Sequence, residues 1–274
     1  MLDQWLRSHD RDPQPFCFSV TDIEEDIAVS TEVLEYLAEE LVRSNVAEEM
    51  LRREYQKLIE DTEDLGLEIL KKYVAEDLPD SDQLSARNGI FGEIIATLYL
   101  KVFEGFWFPI RKLRFREKRN WAMRLTDLCL FKRGEHLPKP VVCYGEVKTK
   151  ASLKRNLNIA LEGHESLLKD DALENVEVLK FMCARLYDLR LYEEADFISD
   201  IRLERIDYKK QYELFIVHEG TRWKDEILER LHIQGLDERL VNFSVKVVLI
   251  SELQNTIDML FRNAWLGAEV IVNE

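Results

Sequence analysis

Two short apolar runs that carry charge inside them constrain this chain more than any other stretch. Leu125-Thr126-Asp127-Leu128-Cys129-Leu130-Phe131 and Val141-Val142-Cys143-Tyr144-Gly145-Glu146-Val147-Lys148-Thr149-Lys150 are rich in β-forming residues, and the segment between them holds Gly134, Pro138 and Pro140. They predict adjacent strands near 123–131 and 141–149 joined by a polar loop. Asp127, Glu146 and Lys148 lie within these runs, where an ionised group is costly unless it is paired or holds a metal. Residues two apart share a strand face, so Glu146 and Lys148 project together. An antiparallel partner brings Asp127 beside them, giving two carboxylates and one ammonium at a sheet edge.

Carboxylate and carbonyl oxygens suit a hard divalent cation that keeps several waters, which makes Asp127, Glu146 and the carbonyl of Val147 candidate ligands for Mg²⁺ or Mn²⁺. Such an ion lowers the pKa of a bound water and offsets charge growing on a phosphate, and Lys148 is placed to orient or deprotonate that water. Glu93, in Asn88-Gly89-Ile90-Phe91-Gly92-Glu93, falls on a helix predicted over 85–103 and is a further candidate for the metal shell.

Glu93, then Asp127, then Glu146-Val147-Lys148 resembles the PD-(D/E)xK nuclease core, in which a helix carboxylate precedes a strand Asp and a strand Glu-x-Lys. The fuller set, Arg87-Asn88-Gly89 through Gly92-Glu93, Leu125-Thr126-Asp127 and Gly145 to Lys150, resembles the HamA family, nuclease subunits of the Hachiman anti-phage defence system, over residues 85–265. The resemblance implies magnesium-dependent DNA cleavage by a subunit held inactive until engaged by a helicase partner that alone uses ATP. One departure is that Asp127 follows Thr126 where the superfamily motif has Pro. A second reading of the same residues, in another functional class, is a non-catalytic interaction subunit whose charged cluster is a structural ion network.

The net charge of −15 argues at first against a nucleic-acid protein, but its distribution reverses that inference. Residues 1–80 hold 22 Asp plus Glu against 8 Lys plus Arg, a balance of −14. Residues 111–133 hold nine basic residues against Glu117 and Asp127, a balance of +7. Arg111, Arg114, Arg116, Lys118, Arg119 and Arg124 in this band, with Lys150, Lys154 and Arg155 after the second strand, are candidate DNA contacts. The alternative is a solvated hairpin. Phe108, Phe115 and Trp121, interleaved with the band, are core residues or base-stacking groups.

Residues 1–80 read as an acidic, mainly helical region for partner docking or masking, and residues 81–274 as the nuclease-like domain, with Leu78-Pro79-Asp80-Ser81-Asp82 as the boundary. A short strand and turn are expected within 16–29. Helices follow from Ser30 and again after Asn45, which with Glu48 has capping-box spacing. Beyond the boundary the expected elements are the helix over 85–103, strands near 108–116, 123–131, 141–149, 212–217 and 241–250, and helices over 153–169, 171–198, 223–231 and 252–264. The fold class is α/β: a helical N-terminal region, then a restriction-endonuclease-like core with a mixed central sheet flanked by helices. His164 is expected on an exposed helix face.

No apolar run nears the ~20 residues of a membrane helix and the start lacks a signal-peptide pattern, so a cytoplasmic protein is expected. Cys17, Cys129, Cys143 and Cys183 form no C-x-x-C pair and read as buried free thiols. P-loop, G-x-S-x-G, H-E-x-x-H and G-x-G-x-x-G motifs are all absent.

Overall fold

The computed structural model describes residues 1–12, 14–61, 66–120, 126–152, 156–169 and 176–274. Strands β1 (Leu6–Asp10), β2 (Ser19–Glu25), β3 (Leu128–Lys132), β4 (Val141–Lys150), β5 (Lys209–Glu219) and β6 (Phe243–Ile250) form one six-stranded sheet in the order β1-β2-β6-β5-β4-β3. The inner pairs β2–β6, β6–β5 and β5–β4 are parallel, and the edge strands β1 and β3 are antiparallel to their neighbours. The mixed α/β class expected from the sequence is therefore the observed one.

Both faces are covered, as parallel strands require. Alternation along β5 sends Phe215 and Val217 to one core and Leu214 and Ile216 to the other. The first core is closed by helices α2 (Thr31–Asn45), α4 (Gly66–Asp77), α5 (Leu84–Val102), α10 (Leu253–Arg262) and α11 (Ala264–Asn273), with Leu51 of α3 (Glu48–Asp61). The second lies under α6 (Ile159–Leu167), α7 (Val176–Asp188), α8 (Tyr192–Arg202) and α9 (Glu226–Gln234). A single turn, α1 (Leu2–Trp5), leads into β1 and buries Leu2 and Trp5. Packing runs without a break across the stretch near residue 80: β1 and β2 are members of the sheet, and α2 lies against the C-terminal helix α11 so closely that a Cβ on Gly267 would meet the backbone of Ala38 at 2.3 Å.

Several local expectations change. The strand expected over 108–116 is absent. Its residues form a bridge from Trp107 to Phe131 and then a 3₁₀ turn, Lys112–Phe115. Pro109 offers no donor for a ladder, and residues three apart eclipse in a 3₁₀ turn, so Arg111 and Arg114 both reach the N-terminal helices while Lys112 faces α5. Asn45 does not cap α3. It ends α2, donating from Nδ2 to the Leu41 carbonyl at 2.7 Å. Of the helix expected over 171–198, residues 171–175 lie outside the described residues and the rest is two helices, divided where Arg190 takes φ 61°. His164 is buried, at 2% exposure, against the Phe243 ring. The cysteines are free; Cys129, Cys143 and Cys183 are buried, and Cys17 is exposed.

Candidate active site

Helix α5 reaches strand β4 at Gly92, where a Cβ would lie 2.1 Å from Thr149 Oγ1. Only a residue without a side chain permits this approach, and it sets the next residue, Glu93, at the end of the β3–β4 hairpin. On the other strand of the hairpin, Asp127 directly precedes β3. The register pairs Leu128 with Gly145, and Asp127 Oδ2 accepts the backbone N–H of Val147 at 2.9 Å. The antiparallel contact expected between the two charged strands is thus present.

Asp127 stands between two lysine–glutamate pairs. On one side, Lys112 Nζ lies 3.1 Å from Glu93 Oε2 and 4.0 Å from Asp127 Oδ1, and donates to the Thr126 carbonyl at 2.9 Å. Lys112 is therefore ion-paired with Glu93 Oε2 while its hydrogen bond goes to the Thr126 carbonyl. On the other side, Lys148 Nζ donates to Glu146 Oε1 at 2.7 Å and to Ser166 Oγ of α6 at 3.2 Å. All of these side chains are largely buried.

The electrostatics follow from that crowding. Burial pushes the Glu93 carboxyl up to about 7; Lys112 opposes the rise and Asp127 adds to it. Glu146 is raised by burial and then by Asp127, with Lys148 opposing. Both shifts share two causes: removal of a carboxylate from water and a second negative charge nearby. Clefts on either side of Glu93 open toward solvent, one past Glu40, Arg111 and Lys112, the other past Gly89, Arg116 and Asn120.

Among the described residues, no group of three or more His, Cys, Asp or Glu side chains is placed to hold a metal ion. The carboxylates of Glu93, Asp127 and Glu146 instead alternate with the ammoniums of Lys112 and Lys148, and Asp127 is fixed to the Val147 backbone N–H. Three carboxylates against two lysines leave an excess of negative charge, which suits a divalent ion that keeps waters and takes few protein ligands.

The basic band is placed differently from a free DNA-facing surface. Arg111 bonds Glu40 Oε2 at 2.7 Å, and Arg114 bonds the Arg43 carbonyl at 2.7 Å as well as Glu48. Arg116 donates to Asn45 Oδ1 at 2.6 Å and to the Asp77 carbonyl at 3.1 Å, and Arg119 bonds the Ala75 carbonyl and Asp80. These four guanidiniums are therefore tied to the acidic N-terminal region. Lys150, at the end of β4, makes no ion pair with a described residue. Arg124, Lys154, Arg155 and Trp121 lie outside the described residues. Phe115 stacks edge-on against Phe181, and Phe108 packs on the core beside the Arg111 guanidinium.

Sequence reasoning missed two members of the site. Lys112 was visible only as one cation in the band, and its role needed the 3₁₀ turn that aims it at Glu93. Ser166 carries no signal in the sequence. Gly92 and Gly145 did carry one, since a small residue beside each site carboxylate marks close packing; a Cβ on Gly145 would meet Leu128 Cδ1 at 2.8 Å.

No curated protein matches the chain. No helix among the described residues is long and apolar enough to cross a membrane. The family model described as HamA matches residues 2–264 of the 274. The chain belongs to the HamA family, a membership that points to a component of the Hachiman antiviral defence system.

Proposed function

We propose that this chain is the divalent-metal-dependent DNA endonuclease of a Hachiman complex, its activity released through a helicase partner that consumes the ATP. The observation that carries the reading is the position of Asp127, bonded to the backbone of Val147 and crowding both Glu93 and Glu146. Asp127, Glu146 and the Val147 carbonyl would hold Mg²⁺ or Mn²⁺, with Glu93 supporting the shell. The ion when bound would supply an activated water and charge neutralisation at the phosphate. Lys148, held by Glu146 and Ser166, is positioned to orient the attacking water or to contact the scissile phosphate. Lys150, together with Lys154 and Arg155, would grip the DNA backbone. Residues 1–80 would act as the docking or masking region, since their carboxylates and carbonyls engage Arg111, Arg114, Arg116 and Arg119.

An interaction subunit with a structural ion network fits these residues less well. A structural network balances its buried charges, whereas here three carboxylates face two ammoniums and Asp127 adds to the burial that raises both Glu93 and Glu146. The test is cleavage of plasmid and linear DNA with Mg²⁺ by the wild type and by Glu146→Ala/Lys148→Ala, with and without the helicase and ATP. Metal-dependent cutting that disappears in the double variant is the expected result. Failure of the assembled pair to cut any form of DNA would return the chain to the interaction class.

A further inference from the structure

The geometry points to Lys112 as a built-in cation that holds the divalent-ion position between Glu93 and Asp127 and must leave it before an ion binds. The inference rests on the nuclease reading and adds a control to it. The ammonium sits 3.1 Å from Glu93 Oε2 and 4.0 Å from Asp127 Oδ1, anchored by the Thr126 carbonyl at 2.9 Å, on a side chain only 10% exposed. A magnesium ion takes its oxygens at about 2.0–2.1 Å. The ammonium already lies 3.1 Å and 4.0 Å from these two carboxylates, and a divalent ion placed between them would repel it at such distances. A lysine suits the task, being a compact charge on a flexible stem that can swing away without breaking the fold.

The turn that carries Lys112 gives this exchange a handle. Its neighbours Arg111, Arg114 and Arg116 bond Glu40, the Arg43 carbonyl, Glu48, Asn45 and the Asp77 carbonyl, all before residue 80. Movement of α2 or of its junction with α3 therefore pulls on the turn, and the position of Lys112 is linked to whatever engages the N-terminal helices. By linkage, the same coupling makes ion binding loosen those contacts.

The experiment compares the full-length wild type with Lys112→Met, without DNA, by calorimetric titration with Mg²⁺ and with Mn²⁺. The variant should bind at least tenfold more tightly, and its melting temperature without metal should fall and recover when Mg²⁺ is added. In parallel, the lysines of the wild type are acylated with and without excess Mg²⁺ and mapped by mass spectrometry. Lys112 should be protected without the ion and labelled with it; this arm decides the matter if Lys112→Met does not fold. Equal affinities with Lys112 protected in both conditions would overturn the gate and leave the nuclease reading standing. Weaker binding by the variant would also overturn it, because Lys112 would then be organising the carboxylates. Absence of ion binding by either protein would overturn both the gate and the nuclease reading.

Discussion

Asp127 Oδ2 accepts the backbone N–H of Val147 at 2.9 Å, so a loop carboxylate is locked to the strand that carries Glu146 and Lys148. This bond converts the register of the β3–β4 hairpin into the geometry of the site. It also holds Asp127 where its charge raises the pKa of carboxyls on both sides.

Asp127→Asn tests whether that charge serves chemistry or stability. The Asn carbonyl still accepts from Val147, and the repulsion of Glu93 and Glu146 is removed. Metal-dependent cleavage should be lost while thermal stability is unchanged or rises by about 0.5–1 kcal/mol. The Glu93 carboxyl, now at about 7, should titrate lower by carbon NMR. A clear fall in melting temperature with cleavage intact would favour the structural network.

Lys148→Met leaves Glu146 Oε1 without its ammonium. Cleavage should drop on the order of 100-fold or more. Because the pair is only partly exposed, stability should fall by about 1–3 kcal/mol, measured by urea unfolding. The unpaired Glu146 carboxyl should titrate higher than in the wild type.

In the metal-free protein the buried glutamates should cost stability as pH rises from 4.5 to 7, opposed in the upper part of that window by His164 and His218, which burial holds below their ordinary value. Glu93 and the fully buried Glu213 each titrate at about 7 in the fold against an ordinary 4.5, so over that window the folded state keeps protons that the unfolded chain has released. Each group then contributes stability that is present below pH 4.5 and is lost at about 1.4 kcal/mol per pH unit up to pH 7. Glu213→Gln should flatten the dependence by one such group, read from unfolding midpoints at several pH values. An unchanged slope would refute the assignment.

Arg116 and Lys150 should separate structural from DNA-binding cations. Arg116→Ala breaks bonds to Asn45 Oδ1 and to the Asp77, Leu113 and Arg119 carbonyls, and should cost about 2–4 kcal/mol of stability. Lys150→Ala should change stability by less than about 0.5 kcal/mol, yet weaken DNA binding and lower the salt dependence by about one counterion. Unfolding curves and salt-titrated binding isotherms give both numbers.

Much of the site could be read in the sequence because it is local. Asp127, Glu146 and Lys148 are charges inside β-forming runs, and the alternation of a strand fixes which of them share a face. Their pairing follows from the short loop between the runs. The α/β alternation of the second half could be read too: β5 and β6 are apolar runs separated by a helical stretch, while their parallel pairing came only with the fold. Strand β1 was illegible, since Leu6–Asp10 buries only its first residue and its register comes from β2 rather than from any pattern of its own.

The sequence by itself determined the ordered set of charges, the α/β alternation and the segregation of acidic and basic segments, all of which are properties of spacing along the chain. Only the tertiary structure decided what the basic band does. Arg111, Arg114 and Arg116 lie some 70 residues from Glu40, Arg43 and Asn45 in sequence, yet meet them in space, and the 3₁₀ turn between them hands Lys112 to Glu93 and Asp127. The physical reason is desolvation. A cation near a partly buried acidic helix end is held by whichever oxygens the fold places beside it, and no local pattern names those oxygens.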